Sequence, residues 1–377
     1  MGKILKDVQV LKKVQRSPEK FDALNVFATW AQRHAIAITQ EDAVPRFAEF
    51  LKSSLQESLK SDTMLFGNRT QAMFEAVVAN LGAVKLVKTE DNGDIYTATP
   101  DVRAPDTRIV LAEGRNILVE VKNNHEDPRK PFRMKAAYTE SLLNYARLTQ
   151  TELRFAIYWS QMSTWTLVAP DAFKRDGKWM SLDIGTAHTR TDMGALGDTL
   201  IGCPIPIVAQ MFVVKQGKGK IRFDHSRSRM FVGAREVVGD AQRLLLRFLI
   251  FWGGWPMSEP KIISETAEHR IVQVSSAPPE DQEDEEPREG CRMIGFVSTV
   301  LSRYWLQMTS NFDGEIATLR PSARSWSDQL LNVTNAGDRV FAIARITSSL
   351  DPPSEDAQTT SSQSRPDEVA PPGGTSA

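Results

Sequence analysis

The chain has 377 residues, with 46 basic and 47 acidic side chains and a formal net charge of −1. A hydrophobic content of 41% and a charged content of 25% are ordinary for a globular protein and exclude a wholly disordered or collagen-like chain. The two cysteines are too few for a disulfide framework or a Cys-rich zinc module, and the length predicts two or three domains.

The first 66 residues are predicted to form a helical region. Ser17-Pro18-Glu19 is typical of a helix start, with Ser as the cap and Pro at the first helical position. Apolar residues then recur at helical spacing. A second helix is predicted to start at Thr39-Gln40-Glu41-Asp42, because apolar residues again follow at helical spacing.

The pattern changes after Gly67 and predicts a compact α/β core in the order α-β-β-β-α-β. The predicted elements are a helix at Arg69–Leu81, short strands with a hairpin, a helix at Arg133–Leu148, and strands at Leu153–Ser160 and Thr164–Val168.

The hairpin consists of two β-branched runs, Thr107–Ala112 and Asn116–Lys122, joined by Glu113-Gly114-Arg115. Folding it about Gly114–Arg115 predicts that Asp106 lies across from residues 122–123.

Alternation along the second strand places Glu120 and Lys122 on one face and Val119 and Val121 on the other. Two carboxylates and an ammonium therefore converge at the end of a hairpin suited to burial. That arrangement is costly unless a metal or a substrate compensates the charges.

This pattern resembles the PD-(D/E)XK nuclease superfamily, the restriction-endonuclease-like core that is shared with Holliday-junction resolvases. Pro105-Asp106 matches the first element, and Glu120-Val121-Lys122 matches the second, 14 residues after Asp106. The resemblance covers residues 67–172 and includes the preceding helix with its acid, Glu75.

The resemblance implies a Mg²⁺ site, with Mn²⁺ as a substitute. Asp106 and Glu120 would bind the metal with the Val121 carbonyl, and Glu75 would contribute to the first or a second metal site. Lys122 would orient or deprotonate the attacking water, or stabilise the developing charge; the sequence leaves these roles open.

Each candidate has a plainer interpretation. Asp106 could end a turn, Glu120 and Lys122 could form an exposed charge pair, and Glu75 could be a solvated helix residue. Asp101, in a second Pro-Asp pair, is the alternative ligand, although it lies 19 residues before Glu120.

Several basic residues are candidates for contact with nucleic acid. Lys135 and Tyr138, at the start of the next helix, are also weighed as residues facing the site or packing at its rim. The nucleic-acid candidates are Arg129, Lys130, Lys135, Lys218, Lys220 and Arg222. The last three belong to a cluster between positions 215 and 229 that a solvated basic loop explains equally well.

Two acidic segments offset an excess of basic residues in the rest of the chain. Residues 277–290 hold seven acids and one Arg, and residues 351–377 hold five acids and one Arg. Both have too few apolar residues to bury, so we predict a disordered acidic loop and a disordered acidic tail. The remainder has 44 basic and 35 acidic residues, which is compatible with a polyanionic partner.

The expected fold class is α/β, with a restriction-endonuclease-like core in which helices flank a central mixed sheet. We predict an N-terminal helical region (1–66), the nuclease-like domain (67–200), a C-terminal mixed α/β region (201–350) and the acidic tail (351–377). The longest apolar stretch, Leu244–Trp255, contains Arg247 and is too short to span a membrane, and the N-terminus lacks an apolar signal core.

We therefore expect a cytoplasmic Mg²⁺-dependent endonuclease that acts on nucleic acid, with DNA as the expected substrate, and that has no membrane association. A homodimer or a partner subunit would supply a second active site for double-strand cleavage. The rival interpretations are a catalytically inactive module of the same fold that binds nucleic acid or assembles complexes, and an unrelated α/β interaction protein.

Overall fold

The computed structural model describes residues 18–60, 62–91, 95–216, 220–279, 290–321, 342–345 and 350. Over these residues the chain forms seven α-helices and sixteen strands. Most of the predicted acidic loop and the whole predicted acidic tail lie outside the described residues, as does Ser17. None of the described helices is both long and apolar enough to cross a bilayer.

Two amphipathic helices, α1 (Pro18–Arg33) and α2 (Ala43–Lys60), form the N-terminal part of the described chain. They pack through a small aromatic cluster around Trp30 and Phe47, whose ring centroids are 5.4 Å apart. The two predicted helices are confirmed, although α2 begins four residues after Thr39.

The central sheet confirms the predicted α/β core. Its strand order is β1-β2-β3-β5-β6, and β3 runs parallel to β5 while the other neighbours are antiparallel. The elements of this core are α3 (Asp62–Val78), β1 (Val84–Thr89), β2 (Thr107–Leu111), β3 (Asn116–Asn124), β4 (Phe132–Lys135), α4 (Ala136–Leu148), β5 (Glu152–Trp159) and β6 (Thr164–Val168).

Alternation along β3 separates two core layers. Val119 packs in the same buried cluster as Phe74 of α3. Leu118 packs in a second cluster with Leu142 of α4. The two helices therefore cover opposite faces of the sheet, and the even-numbered residues of β3 face α4.

The predicted start of the helix at Arg133 is wrong. Residues 133–135, predicted to be helical, belong to β4, because Phe132 and Met134 alternate inward while the strand pairs with β8 (Trp179–Leu182). Strand pairing with a partner more than 40 residues away outweighs the local helical pattern.

The predicted hairpin register is also wrong. Thr107 pairs with Val119, and continuing this antiparallel register places Asp106 opposite Glu120. The sequence predicts a position opposite residues 122–123 instead. The correction brings the two acidic residues directly across from each other.

The turn explains this register. The Gly114 amide donates a hydrogen bond to the Leu111 carbonyl (2.9 Å), and Gly114 has a φ of 99°. A three-residue turn with a left-handed Gly closes the hairpin, so its centre is Glu113.

The C-terminal part adds two antiparallel sheets and two long helices. A five-stranded sheet has the order β12-β11-β10-β14-β13, and a three-stranded sheet has the order β15-β9-β16. A further small sheet, β4-β8-β7, borders the core. The bounds are β7 (Lys174–Asp176), α5 (Ile184–Thr189), β9 (Thr199–Pro204), β10 (Ile207–Lys215), β11 (Ile221–Val232), β12 (Arg235–Glu236), α6 (Asp240–Trp252), β13 (Lys261–Glu265), β14 (His269–Ser276), β15 (Cys291–Phe296), α7 (Val297–Met308) and β16 (Ala342–Arg345).

Helix α7 connects the C-terminal part to the core. The Trp165 indole of β6 donates a hydrogen bond to the Ser302 hydroxyl (2.8 Å). The guanidinium of Arg69 in α3 donates to the Thr309 hydroxyl (3.0 Å) at the end of α7. The division of the chain at residues 66 and 200 stays a prediction.

Asp198, immediately before β9, holds the first turn of α7. Its carboxylate accepts hydrogen bonds from the Ser298 amide (2.9 Å), the Ser298 hydroxyl (2.6 Å) and the Thr199 amide (3.0 Å). Burial raises the pKa of Asp198 to about 6, although these hydrogen bonds oppose the shift.

We expect Asp198 to make stability depend on pH. Since the folded pKa lies above the unfolded value of 3.8, its contribution is complete below about pH 4 and is lost as pH rises through 6. Urea unfolding should therefore show that Asp198→Asn gains about 3 kcal/mol relative to the native protein between pH 4 and pH 8. Glu113→Gln, on the exposed hairpin turn, is the control and should show no such change. An equal effect of Asp198→Asn at both pH values would contradict the prediction.

Candidate active site

Two acidic side chains lie close together at the open end of the β2–β3 hairpin, just beyond the last paired residues of the two strands. Asp106 directly precedes β2, and its carboxylate accepts a hydrogen bond from the Val121 amide (2.7 Å). Glu120, across from it, is only 2% exposed. The structure therefore brings these two predicted ligands together.

Pro105 explains why the Val121 backbone is open to this site. The Leu111 amide donates to the Arg115 carbonyl (2.9 Å), so odd-numbered positions after the turn direct their amide and carbonyl toward β2. Val121 then lies opposite Pro105, which has no amide hydrogen to donate. The Asp106 carboxylate accepts the hydrogen bond of the Val121 amide, and Pro105 offers no amide donor to the Val121 carbonyl.

Lys122 and Tyr138 both bind one oxygen of Glu120. The Lys122 ammonium lies 2.5 Å from Glu120 Oε1 and 3.0 Å from the Tyr138 hydroxyl, and that hydroxyl donates to the same Oε1. Burial lowers the pKa of Lys122, but the charge of Glu120 and its hydrogen bond, with those of Tyr138, raise it overall. Burial and the charge of Glu120 raise the pKa of Tyr138.

The carboxyl of Asp106 is in an unfavourable environment for a negative charge. Burial and the neighbouring charge of Glu120 raise its pKa to about 7, and the Val121 hydrogen bond and Lys122 oppose the rise. Asp91 adds a smaller effect in the same direction as Glu120. A bound cation would relieve the burial and repulsion that disfavour the ionised carboxyl.

Oxygen donors at this position suit a hard cation. The carboxylates of Asp106 and Glu120 and the open Val121 carbonyl are the ligand types that Mg²⁺ prefers, and Mg²⁺ usually keeps several waters. Among the described residues, no cluster of three or more His, Cys, Asp or Glu side chains is arranged to hold a metal. The backbone carbonyl and waters would therefore have to complete the coordination.

Glu75 lies beside these residues without a described contact to their carboxylates. It accepts hydrogen bonds from Thr89 (3.1 Å), from Gln71 (3.4 Å) and from the Arg320 guanidinium (3.2 Å). Gln71 also lies 3.5 Å from the Asp106 carbonyl, so it bridges the two. A role of Glu75 in metal binding stays a prediction.

The alternative ligand, Asp101, is exposed and has a φ of 50°. Its carbonyl accepts a hydrogen bond from the Asn144 amide (3.2 Å) on the outer side of α4. No described hydrogen bond or ion pair connects its carboxylate to Asp106 or Glu120. Of the two aspartates, the structure therefore places Asp106 beside Glu120, and its role as a metal ligand stays a prediction.

The predicted nucleic-acid contacts are scattered. Arg129 is paired with Asp127 (2.6 Å), whereas Lys130 and Lys135 are exposed. Lys220 and Arg222 are exposed at the start of β11, in another sheet, and Lys218 lies outside the described residues. Their contact with nucleic acid stays a prediction.

Sequence reasoning missed a network that positions Asp106. The Glu90 amide donates to the Asp106 carbonyl (2.8 Å), and the Glu90 carboxylate accepts from Arg108 (2.7 Å) and Tyr145 (2.7 Å). The hydrogen bond from Arg108 lowers the pKa of Glu90, although burial opposes this. In the sequence, Glu90 stands out only as an acidic residue after a strand, and acidic residues at such positions are common.

Arg103 was also missed. Its guanidinium lies 4.9 Å from the centre of the Tyr138 ring, and the Lys122 ammonium lies 4.7 Å from it. Arg103 is exposed, so a cation faces solvent next to the buried carboxylates.

Comparisons with known proteins give a partial structural likeness. No family model and no curated protein matches the chain. Among solved structures, the chain is similar to Hjc, a Holliday junction resolvase of the archaeal hyperthermophile Archaeoglobus fulgidus. The match covers 25% of this chain and 79% of the resolvase, with 22% sequence identity and a TM-score of 0.21. Since a likeness of this extent carries no functional argument, the conclusion depends on the site geometry.

Proposed function

We propose that this protein is a metal-dependent nuclease that hydrolyses phosphodiester bonds in DNA. The observation that carries the proposal is the convergence of Asp106, Glu120 and Lys122 at the end of the β2–β3 hairpin, where Pro105 leaves the Val121 carbonyl open. The excess of cations outside the two acidic segments supports a polyanionic substrate.

The residues divide into metal ligands and donors. Asp106, Glu120 and the Val121 carbonyl would hold Mg²⁺ or Mn²⁺. When bound, the metal supplies charge neutralisation at the phosphoryl oxygens and activates water. Lys122 already donates to Glu120 and Tyr138, so its ammonium acts as a donor that orients the attacking water and stabilises developing charge.

The hydroxyl of Tyr138 positions Lys122 and Glu120. Because it bonds both groups, it fixes their separation, and its ring carries the Arg103 guanidinium at the solvent side. Arg103 is placed to bind a phosphate that approaches the carboxylates.

One observation favours a non-catalytic module instead. Lys122 and Tyr138 both bind Oε1 of Glu120, so the chain itself compensates part of the negative charge of the site. In a non-catalytic module these contacts would serve only to stabilise the fold. Such a protein would bind nucleic acid or assemble complexes without a metal.

Two measurements on the purified protein separate these functions. Supercoiled plasmid should be nicked or linearised in Mg²⁺ and left intact in EDTA, and an RNA of equal length tests the choice of DNA. Isothermal calorimetry should show Mg²⁺ or Mn²⁺ binding by the nuclease. Metal binding without cleavage of either nucleic acid, or no metal binding at all, would overturn the proposal and favour the module.

A further inference from the structure

The small β4-β8-β7 sheet has one buried face and one open face. Met134 and Leu182 point inward into the cluster that packs beneath α4. Side chains at the alternate positions therefore point outward, away from the core. These are Arg133, Lys135, Lys174, Asp176, Trp179 and Ser181, which we call the outer face.

The outer face combines three cations with an aromatic ring. The register places Arg133 and Lys174 on either side of Ser181, and Lys135 directly opposite Trp179. Arg133, Lys135 and Lys174 are exposed, and Trp179 is partly exposed.

The cations of this face are available for an external partner. Neither Arg133 nor Lys135 nor Lys174 forms an ion pair with any residue that the structure describes. Asp176 is the acidic residue that the register places on the face, beside Trp179. The turn between β7 and β8 adds a further exposed cation, Lys178.

The outer face is linked to the candidate active site through the start of α4. The Ala136 amide donates to the Lys178 carbonyl (2.8 Å), which extends the β4–β8 ladder to the first residue of α4. Tyr138, in the same helical turn, binds Glu120 and Lys122. The outer face and the carboxylates are therefore connected through the start of one helix.

We propose that the outer face binds a single strand of nucleic acid, with phosphates on Arg133, Lys135 and Lys174 and an unpaired base on Trp179. Three cations and an aromatic ring on one face match the two features of a strand, its charged backbone and its exposed base faces. The inference rests on the proposed function in placing the strand toward the carboxylates, and it specifies a single-stranded or splayed substrate.

Binding is tested without metal, so that cleavage plays no part. Anisotropy of a labelled oligothymidylate in EDTA should show about tenfold weaker binding by the Arg133→Ala/Lys174→Ala variant at low salt. The slope of log K against log salt should fall by about 1.4, because two single-strand phosphate contacts are lost. The control, Lys85→Ala/Arg115→Ala, removes the same charge at the opposite end of the central sheet and should bind as the native protein does.

Substitutions of Trp179 distinguish base stacking from general electrostatic attraction. Trp179→Leu should weaken oligothymidylate binding about tenfold, whereas Trp179→Phe should keep most of the affinity. Native binding should also exceed that for a duplex of equal length. Equal losses in the outer-face and control double variants, or no effect of Trp179→Leu, would overturn the inference.

The two proposals can fail separately. If plasmid is never cleaved but the outer-face variants lose strand binding, the nuclease proposal is wrong and the outer face is a binding surface. If cleavage occurs while the outer-face variants bind and cleave normally, the nuclease proposal stands and this inference is wrong.

Discussion

Asp106→Asn should lower metal-dependent cleavage by about 10³-fold or more, because the site would lose one of its two proposed carboxylate ligands. Calorimetry should show a parallel loss of Mg²⁺ affinity. The substitution keeps the shape of the side chain, and the Asn carbonyl oxygen can still accept the hydrogen bond that the Val121 amide donates to Asp106.

Loss of activity through unfolding can be distinguished from loss of the ligand. Asn removes a negative charge that faces Glu120 in a buried position, so the variant should be at least as stable as the native protein in metal-free buffer. Thermal unfolding followed by circular dichroism measures this. A large drop in the midpoint would mean that the variant reports on the fold instead of on the metal.

Asp101→Asn is the matched control. Asp101 is exposed, its φ of 50° is one that Asn tolerates, and only its carbonyl is used in the hydrogen bond with Asn144. Cleavage by this variant should equal that of the native protein. If Asp101→Asn abolished cleavage and Asp106→Asn did not, the ligand would have to be reassigned to Asp101.

The elements of the core could be predicted because each has a local signature. The β-branched runs around Gly114 favour a hairpin, and the apolar spacing of residues 69–81 favours a helix. Alternation alone put Glu120 and Lys122 on one face of β3, and the structure confirms that they are in contact. These features depend on periodicities of two and 3.6 residues, which a sequence shows directly.

The remaining features depend on contacts between distant residues. Tyr138 binds Glu120 because the fold brings the first turn of α4 beside β3, and no spacing in the sequence reveals that approach. Arg320 reaches Glu75 across 245 positions, and β4 is a strand because β8 pairs with it. The error in the hairpin register has a different origin, since the φ of Gly114 sets a three-residue turn and displaces Asp106 by two or three positions from its predicted partner.

Lys122→Met should separate the two roles assigned to the site. The variant keeps the apolar stem but removes the ammonium, so cleavage should fall by about 10²- to 10³-fold through loss of a donor to the developing charge. Metal affinity should stay the same or increase, because Glu120 Oε1 loses a bound cation that competes with the metal.

Two further variants of the chain make this test specific. Tyr138→Phe keeps the ring beneath Arg103 but removes the hydroxyl that bonds Glu120 and Lys122, so cleavage should fall by about tenfold with metal affinity kept. Lys85→Met removes an exposed cation of β1 and should leave both quantities unchanged. If Lys122→Met lost metal affinity and cleavage together, Lys122 would organise the ligands and take no part in the chemistry. If it cleaved DNA at the native rate, the ammonium would have no place in the mechanism, and the attacking water would have to be oriented by the remaining groups of the site.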